Sequence, residues 1–200
     1  MRCAFEREAE GIFRLKVPFE GIYTSVFLLE TDEGAILVDC ATTDADVEDW
    51  ILPALAARGY APNDLSAIVL THRHEDHAGG LVCLLRHAPK LAVIADARQI
   101  ADGVSTYPLP GHTEDMIGVL DERTRTLITG DGLQGAGVDK YRCYLKNPTA
   151  YLETLKKIEV DERVENLLLS HAYEPWNTDG IRGRENVIRA LRDCATYVKI

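Results

Sequence analysis

The chain has 200 residues, 46% of them hydrophobic and 27% charged, with a formal net charge of -10. That length suits one compact domain over 1–200 with a sizeable core, and the acidic balance opposes nucleic-acid binding, which needs a basic surface to replace condensed counterions. No stretch approaches the roughly 20 apolar residues of a membrane span, and the first residues carry no apolar core of signal-peptide length.

In chain order, Gly11 to Lys16 and Tyr23 to Glu30 read as strands, the second rich in β-branched and aromatic residues. Asp32-Glu33-Gly34 signals a turn into a third strand, Ala35 to Asp39. Thr43 caps a helix with Val47, Trp50, Ile51, Ala54 and Leu55 on one face and Gly59 at its end; Pro53 predicts a kink or break. Ala67 to Leu70 is a short apolar run typical of a strand buried on both faces. A helix over Gly80 to His87 and a strand over Leu91 to Ala95 follow, then a short stretch from Asp96 to Leu109 to which no helix or strand is assigned. Ile117 to Asp121 and Thr126 to Thr129 form a hairpin leading into Gly130-Asp131-Gly132. After a loop from Gly135 to Lys146, Asn147 and Pro148 start a helix with Tyr151, Leu152, Leu155 and Ile158 on one face. Val164 to Ser170 is a last strand delivering His171, and a terminal helix carries the stripe Val187, Ile188, Leu191, Cys194, Ala195 and Val198. Strands interrupted by amphipathic helices make this an α/β protein with helices covering its sheets.

Chemistry concentrates in Thr71-His72-Arg73-His74-Glu75-Asp76-His77-Ala78-Gly79-Gly80, where four strong metal-binding side chains fall within six positions directly after a buried strand. Imidazole and carboxylate are transition-metal ligands. His112 and His171 follow a tight turn and a strand, and Asp131 follows a strand between two glycines. Five imidazoles and two carboxylates exceed one tetrahedral shell and suit two metals sharing a bridging group. His87, in the last turn of a predicted helix, falls outside this pattern and is assigned to the helix end or solvent. The five cysteines are scattered, odd in number and without C-x-x-C spacing, which predicts reduced thiols in a cytoplasmic protein.

With Leu37-Val38-Asp39, the His-rich stretch, Pro110-Gly111-His112-Thr113, Thr129-Gly130-Asp131 and Ser170-His171 in this order, the chain resembles the metallo-β-lactamase superfamily. The resemblance implies a four-layer αβ/βα sandwich with the metals at one edge. His72, His74 and His112 would hold one metal, Asp76, His77 and His171 the other, and Asp131 would bridge them; Asp39 matches the family's supporting aspartate, which orients ligands. The function expected is a hydrolase with two divalent ions, zinc foremost and manganese or iron also compatible with these donors. A bridging hydroxide would attack a small ester-like substrate, a thioester or lactone, with Asp76 orienting it as general acid–base. The alternatives are a mononuclear iron oxygenase resembling persulfide dioxygenases, using mainly His72, His112 and Asp131, and a non-catalytic binding protein on this fold. His77 and His112 are 35 positions apart, shorter than is usual in the family, which leaves the pocket open or completed by a second subunit. Arg142, with Tyr141, in the cationic run Lys140 to Lys146, is a candidate for binding an anionic group of the substrate; Tyr173 and Trp176 are candidates for lining the pocket.

Overall fold

The structure is a computed structural model that describes residues 3–138 and 144–199. The chain forms two compact units, Met1–Ala95 and Asp96–Ile200, each built on one six-stranded sheet.

In the first unit, β1 (Glu6–Ala9), β2 (Ile12–Phe19), β3 (Ile22–Thr31), β4 (Gly34–Val38), β5 (Leu65–Val69) and β6 (Ala92–Ile94) pair in chain order. The first four are antiparallel, joined by tight turns, whereas β4, β5 and β6 run parallel. Parallel neighbours need crossovers. These are α1 (Asp44–Asp46), a π-helical turn (Val47–Ile51) and α2 (Leu52–Ala57) before β5, then α3 (Glu75–Ala78) and α4 (Leu81–His87) before β6. Leu15, Val26, Leu28, Leu37 and Ile68 of the sheet pack with Val47, Ile51, Leu55 and Leu84 of the helices, each full burial contributing about 1.5–3 kcal/mol.

The predicted cap holds: Thr43 accepts from the Asp46 N–H at 3.1 Å while Asp46 accepts from the Thr43 N–H at 2.8 Å. The disturbance expected at Pro53 takes the form of the π turn, in which the Leu52 N–H bonds to the Val47 carbonyl five residues back. Pro53 has no N–H to offer the Asp49 carbonyl, and the Cys3 thiol donates to that oxygen at 3.3 Å instead. The His-rich segment after β5 contains the short helix α3.

In the second unit, β7 (Gln99–Ala101), β8 (Val104–Pro108), β9 (Ile117–Asp121), β10 (Thr126–Ile128), β11 (Asn166–Tyr173) and β12 (Thr178–Arg182) pair in the order β12-β11-β10-β9-β8-β7. Only β10 and β11 are parallel, and α5 (Pro148–Val160) is the crossover between them. Asn147 caps α5 as predicted, accepting from the Ala150 N–H at 3.0 Å. Tyr151, Leu155 and Ile158 of α5 and Val187, Leu191 and Cys194 of α6 (Arg184–Tyr197) pack with Leu120, Leu127, Leu167 and Leu169. The sequence pattern predicts no strand at β1, β7, β8 or β12, and it sets His171 after β11 rather than within it. Two mixed sheets with flanking helices are the α/β class that the alternating pattern predicts.

Gly79 and Gly80 close the His-rich stretch for a steric reason. A Cβ on Gly79 would lie 2.0 Å from the Thr42 carbonyl oxygen, and one on Gly80 would lie 2.3 Å from that of Cys40. The segment after β4 therefore sits directly against the ligand-bearing segment, tied by Cys40 N–H to His77 carbonyl at 2.8 Å. Gly79→Ala is expected to lower stability by about 1–3 kcal/mol through overpacking, read as a lower midpoint in urea with an unchanged slope.

Candidate metal centre

The first unit assembles one group of ligands from the parallel register of β4 and β5. Val38 pairs with Val69, and the Asp39 N–H bonds to the Val69 carbonyl at 2.9 Å. Asp39 then turns out of the sheet with a left-handed φ of 61°. Its carboxylate accepts from the Thr71 N–H at 2.8 Å, from the Thr71 hydroxyl at 2.8 Å and lies 2.7 Å from His77 Nδ1. A carboxylate against Nδ1 fixes the Nδ1–H tautomer, leaving Nε2 with its lone pair available. That Nε2 faces Asp76 Oδ2 at 3.3 Å. His72 has Nδ1 at 3.2 Å from the Thr71 hydroxyl, and its ring lies 4.6 Å from that of His74 and 4.2 Å from that of His77. His72, His74, Asp76 and His77 are thus gathered, with His72 and His77 buried and His74 and Asp76 partly open.

In the second unit the parallel pairing of β10 and β11 does the same. Ile128 is opposite Leu168, so Asp131 and His171, each three residues further on, emerge side by side. Pairing of β11 with β12 is irregular between Leu168 and Tyr173, which re-aims side chains in the interval holding His171. His112 lies in the loop after β8, which is held against the start of α5 by Asn147 N–H to Gly111 carbonyl at 3.0 Å. Gly111 has φ +151° and a Cβ there would meet Tyr151 at 2.6 Å, so the sharp approach requires glycine.

Around Asp131 the two carboxylate oxygens have different neighbours. Oδ1 lies 3.4 Å from His171 Nε2 and Oδ2 lies 3.7 Å from His112 Nε2. The Tyr173 hydroxyl donates to Oδ1 at 3.2 Å, which places this predicted pocket residue on the carboxylate. His112 Nδ1 lies 3.2 Å from the Tyr144 carbonyl oxygen and 2.9 Å from the Gln134 carboxamide nitrogen. Gln134 is fully buried and its Oε1 has no hydrogen-bond partner among the described residues. With the amide turned so that Oε1 faces the ring, Oε1 accepts from His112 Nδ1–H, and the imidazole Nε2 keeps its lone pair on the side facing Asp131. Gln134 was not visible as a site residue in the sequence, because a lone Gln in a Gly-rich loop carries no spacing signal.

Tyr141 and Arg142 lie outside the described residues. Trp176 donates from Nε1 to Asp193 Oδ2 at 3.0 Å and sits over Gly135. Glu114 and Asp115 are exposed.

The donor set of each unit fits divalent metal ions. Ring Nδ1 atoms of His72, His77 and His112 are occupied by protein partners, and the Nε2 atoms of His77, His112 and His171 face carboxylate oxygens at 3.3–3.7 Å. Two ligand atoms about 2.0–2.1 Å from one tetrahedral ion are separated by about 3.3 Å. Those spacings match coordination edges better than hydrogen bonds, which run at about 2.7–3.2 Å. Burial of so many ionisable groups also needs a compensating cation.

The model of the metallo-beta-lactamase superfamily matches residues 20–99, a span that includes the His-rich stretch. Among solved structures, a metallo-β-lactamase from Erythrobacter litoralis superposes with a TM-score of 0.69 at 21% identity, over 96% of this chain and 95% of that one. FIM-1 from Pseudomonas aeruginosa, in its mono-zinc form, gives 0.72 at 17% identity over 98% and 94%. This fold, this match and the His/Asp clusters bear out the resemblance to the metallo-β-lactamase superfamily. Its relatives include an atrochrysone carboxyl ACP thioesterase from Passalora fulva, 27% identical over 75% of this chain and 48% of the relative. A hydroxyacylglutathione hydrolase from Salmonella typhi is 32% identical over 62% of this chain and 43% of the relative. The chain spans about half the length of the curated relatives it matches. No helix among the described residues is long and apolar enough to cross a membrane.

Proposed function

We propose that the chain is a metal-dependent hydrolase that cleaves a small thioester or lactone at a dinuclear, zinc-containing centre. His72, His74 and His112 would hold one cation and Asp76, His77 and His171 the other, with Asp131 shared between them. The observation that carries this reading is the division of the Asp131 carboxylate, with Oδ1 at 3.4 Å from one imidazole nitrogen and Oδ2 at 3.7 Å from another. A plain hydrogen-bonded ion pair would instead bring one oxygen within about 3.2 Å of a ring nitrogen. Relatives named thioesterase and hydroxyacylglutathione hydrolase support the choice of reaction.

Bound divalent cations supply a Lewis acid for the acyl carbonyl and lower the pKa of water from about 15.7 toward 7. The residues themselves orient and move protons. Asp39 and Thr71 hold the His77 ring, and Gln134 with the Tyr144 carbonyl holds the His112 ring. Asp76, the more open carboxylate, accepts the proton of the attacking water and returns it to the leaving group. The test is turnover of a panel of thioesters, lactones and phosphodiesters, before and after chelation, with metal analysis of the protein as purified. Thioester or lactone hydrolysis is expected, lost on chelation and restored by zinc, with about two zinc per chain. Chelation-resistant turnover, or about one iron per chain with oxygen consumption, would overturn it.

A further inference from the structure

A second cluster of metal-ligating groups lies in the first unit, away from the His-rich stretch. Cys83 and His87 are four residues apart on α4 and therefore lie one above the other on one face. Glu48, in the π turn, reaches the same point. Its Oε1 is 2.8 Å from His87 Nε2 and 3.6 Å from Cys83 Sγ, and the three donor atoms lie within 4.8 Å of one another. The Asp44 carbonyl oxygen is 3.8 Å from the same sulfur. Arg86, the nearby cation, is engaged with the Asp44 carboxylate at 2.5 Å and also reaches the Cys83 sulfur, from which a bound ion would displace it.

An exposed His–Glu ion pair accounts for only part of this arrangement. It does not require a thiol, and as a buried filler Cys83 has no reason to direct its sulfur at the same carboxylate oxygen that meets the imidazole. Around a tetrahedral zinc ion the nitrogen–oxygen edge is about 3.3 Å and the sulfur–oxygen edge about 3.5 Å. The observed 3.6 Å from Glu48 to Cys83 lies at the sulfur–oxygen edge, and the 2.8 Å from Glu48 to His87 is a hydrogen bond that ion binding would replace. Cys83 is buried while Glu48 and His87 reach solvent, so the site has a sulfur floor and an open side through which an ion can enter. One sulfur, one nitrogen and one oxygen donor favour a borderline-soft ion over magnesium or calcium.

We propose that Glu48, Cys83 and His87 form a further binding site for a divalent ion of the zinc type, with a fourth position left to water or the Asp44 carbonyl. Binding would clamp α4 to the π turn, and α4 directly continues the segment that bears His72 to His77. The site is independent of the hydrolase reading, because none of its residues belongs to that centre.

The probe is Co2+, titrated into the chelated and desalted chain and followed by near-ultraviolet absorption. A thiolate bound to Co2+ gives a charge-transfer band there, whereas a centre made only of imidazoles and carboxylates gives none. The expected result is a band whose saturated amplitude corresponds to one thiolate-bound Co2+ per chain, whatever the His/Asp centre takes up, and which disappears in Cys83→Ser. In His87→Ala and Glu48→Gln the band should require at least about tenfold more Co2+, as loss of one ligand weakens a site. These two positions are solvent-facing, so they test the site even if Cys83→Ser fails to fold. Absence of the band, its survival in Cys83→Ser, or an unchanged titration in both His87→Ala and Glu48→Gln would each overturn the proposal.

Discussion

Asp131→Asn is expected to lower kcat/KM for the best thioester or lactone by at least about 10³-fold, which corresponds to about 4 kcal/mol of lost transition-state stabilisation. The side chain is almost fully enclosed and stands between His112 Nε2, His171 Nε2 and the Tyr173 hydroxyl. Asparagine keeps the shape, so one oxygen still serves one imidazole neighbour and still accepts from Tyr173. The other position becomes an NH2 group, which has no lone pair for a metal. Metal content should fall from about two ions per chain to about one, because a bridging ligand is shared and its loss weakens both positions. Stability of the metal-free protein should change little, since the substitution is isosteric and removes a buried charge. Full metal content with near-normal turnover would show that Asp131 is not the bridge and that the division of its oxygens has another origin.

Strands with a buried, β-branched run were legible in the sequence because burial on one or both faces dictates their composition. Of the four missed strands, β1, β7 and β12 lie at sheet edges, whereas β8 lies between β7 and β9 and its Ser-Thr pair and terminal Pro108 break up the apolar run. Glu6-Arg7-Glu8-Ala9 and Thr178-Asp179-Gly180-Ile181-Arg182 carry the charges and glycine that keep an edge from pairing with another chain. Those residues erase the alternation that reveals a strand. β6 is also an edge, and it was found because its Ala-Val-Ile run is apolar. Of the candidate ligands, the sequence revealed the types and order, since imidazole and carboxylate are rare enough for their spacing to carry information. It did not reveal what holds them. The left-handed turn at Asp39, the Gln134 contact with His112 and the Tyr173 contact with Asp131 depend on parallel register and on loops of ordinary composition. The same holds for Glu48, which joins Cys83 and His87 through the π turn that Pro53 follows.

The division between ligands and the groups that hold them sets up a separation of stability from function at Asp39. Asp39→Asn should leave the fold nearly intact and still lower both metal affinity and kcat/KM by about 10–100-fold, the usual effect of losing a ligand's orienting partner. Asparagine is among the residues that best tolerate the φ of 61° found here. Its oxygen can replace Oδ1 and accept from the Thr71 N–H, now at 2.8 Å. Its NH2 then stands at Oδ2, where it donates to the Thr71 hydroxyl and to His77 Nδ1, at the present 2.8 and 2.7 Å. That donation forces the His77 proton from Nδ1 to Nε2, the nitrogen that faces Asp76, and a protonated nitrogen cannot bind a metal. The opposite amide orientation sets NH2 against the Thr71 N–H, donor against donor, inside a buried turn. Asp39→Ala differs in kind: it strands the Thr71 N–H and the His77 ring and places alanine at a left-handed φ. It should cost about 3–5 kcal/mol of stability as well as activity. Chemical denaturation of the two variants, with nitrogen NMR of the His77 ring in Asp39→Asn, separates the cases. An Asn variant whose His77 keeps its proton on Nδ1, with normal metal affinity, would remove Asp39 as the residue that selects the ligating tautomer.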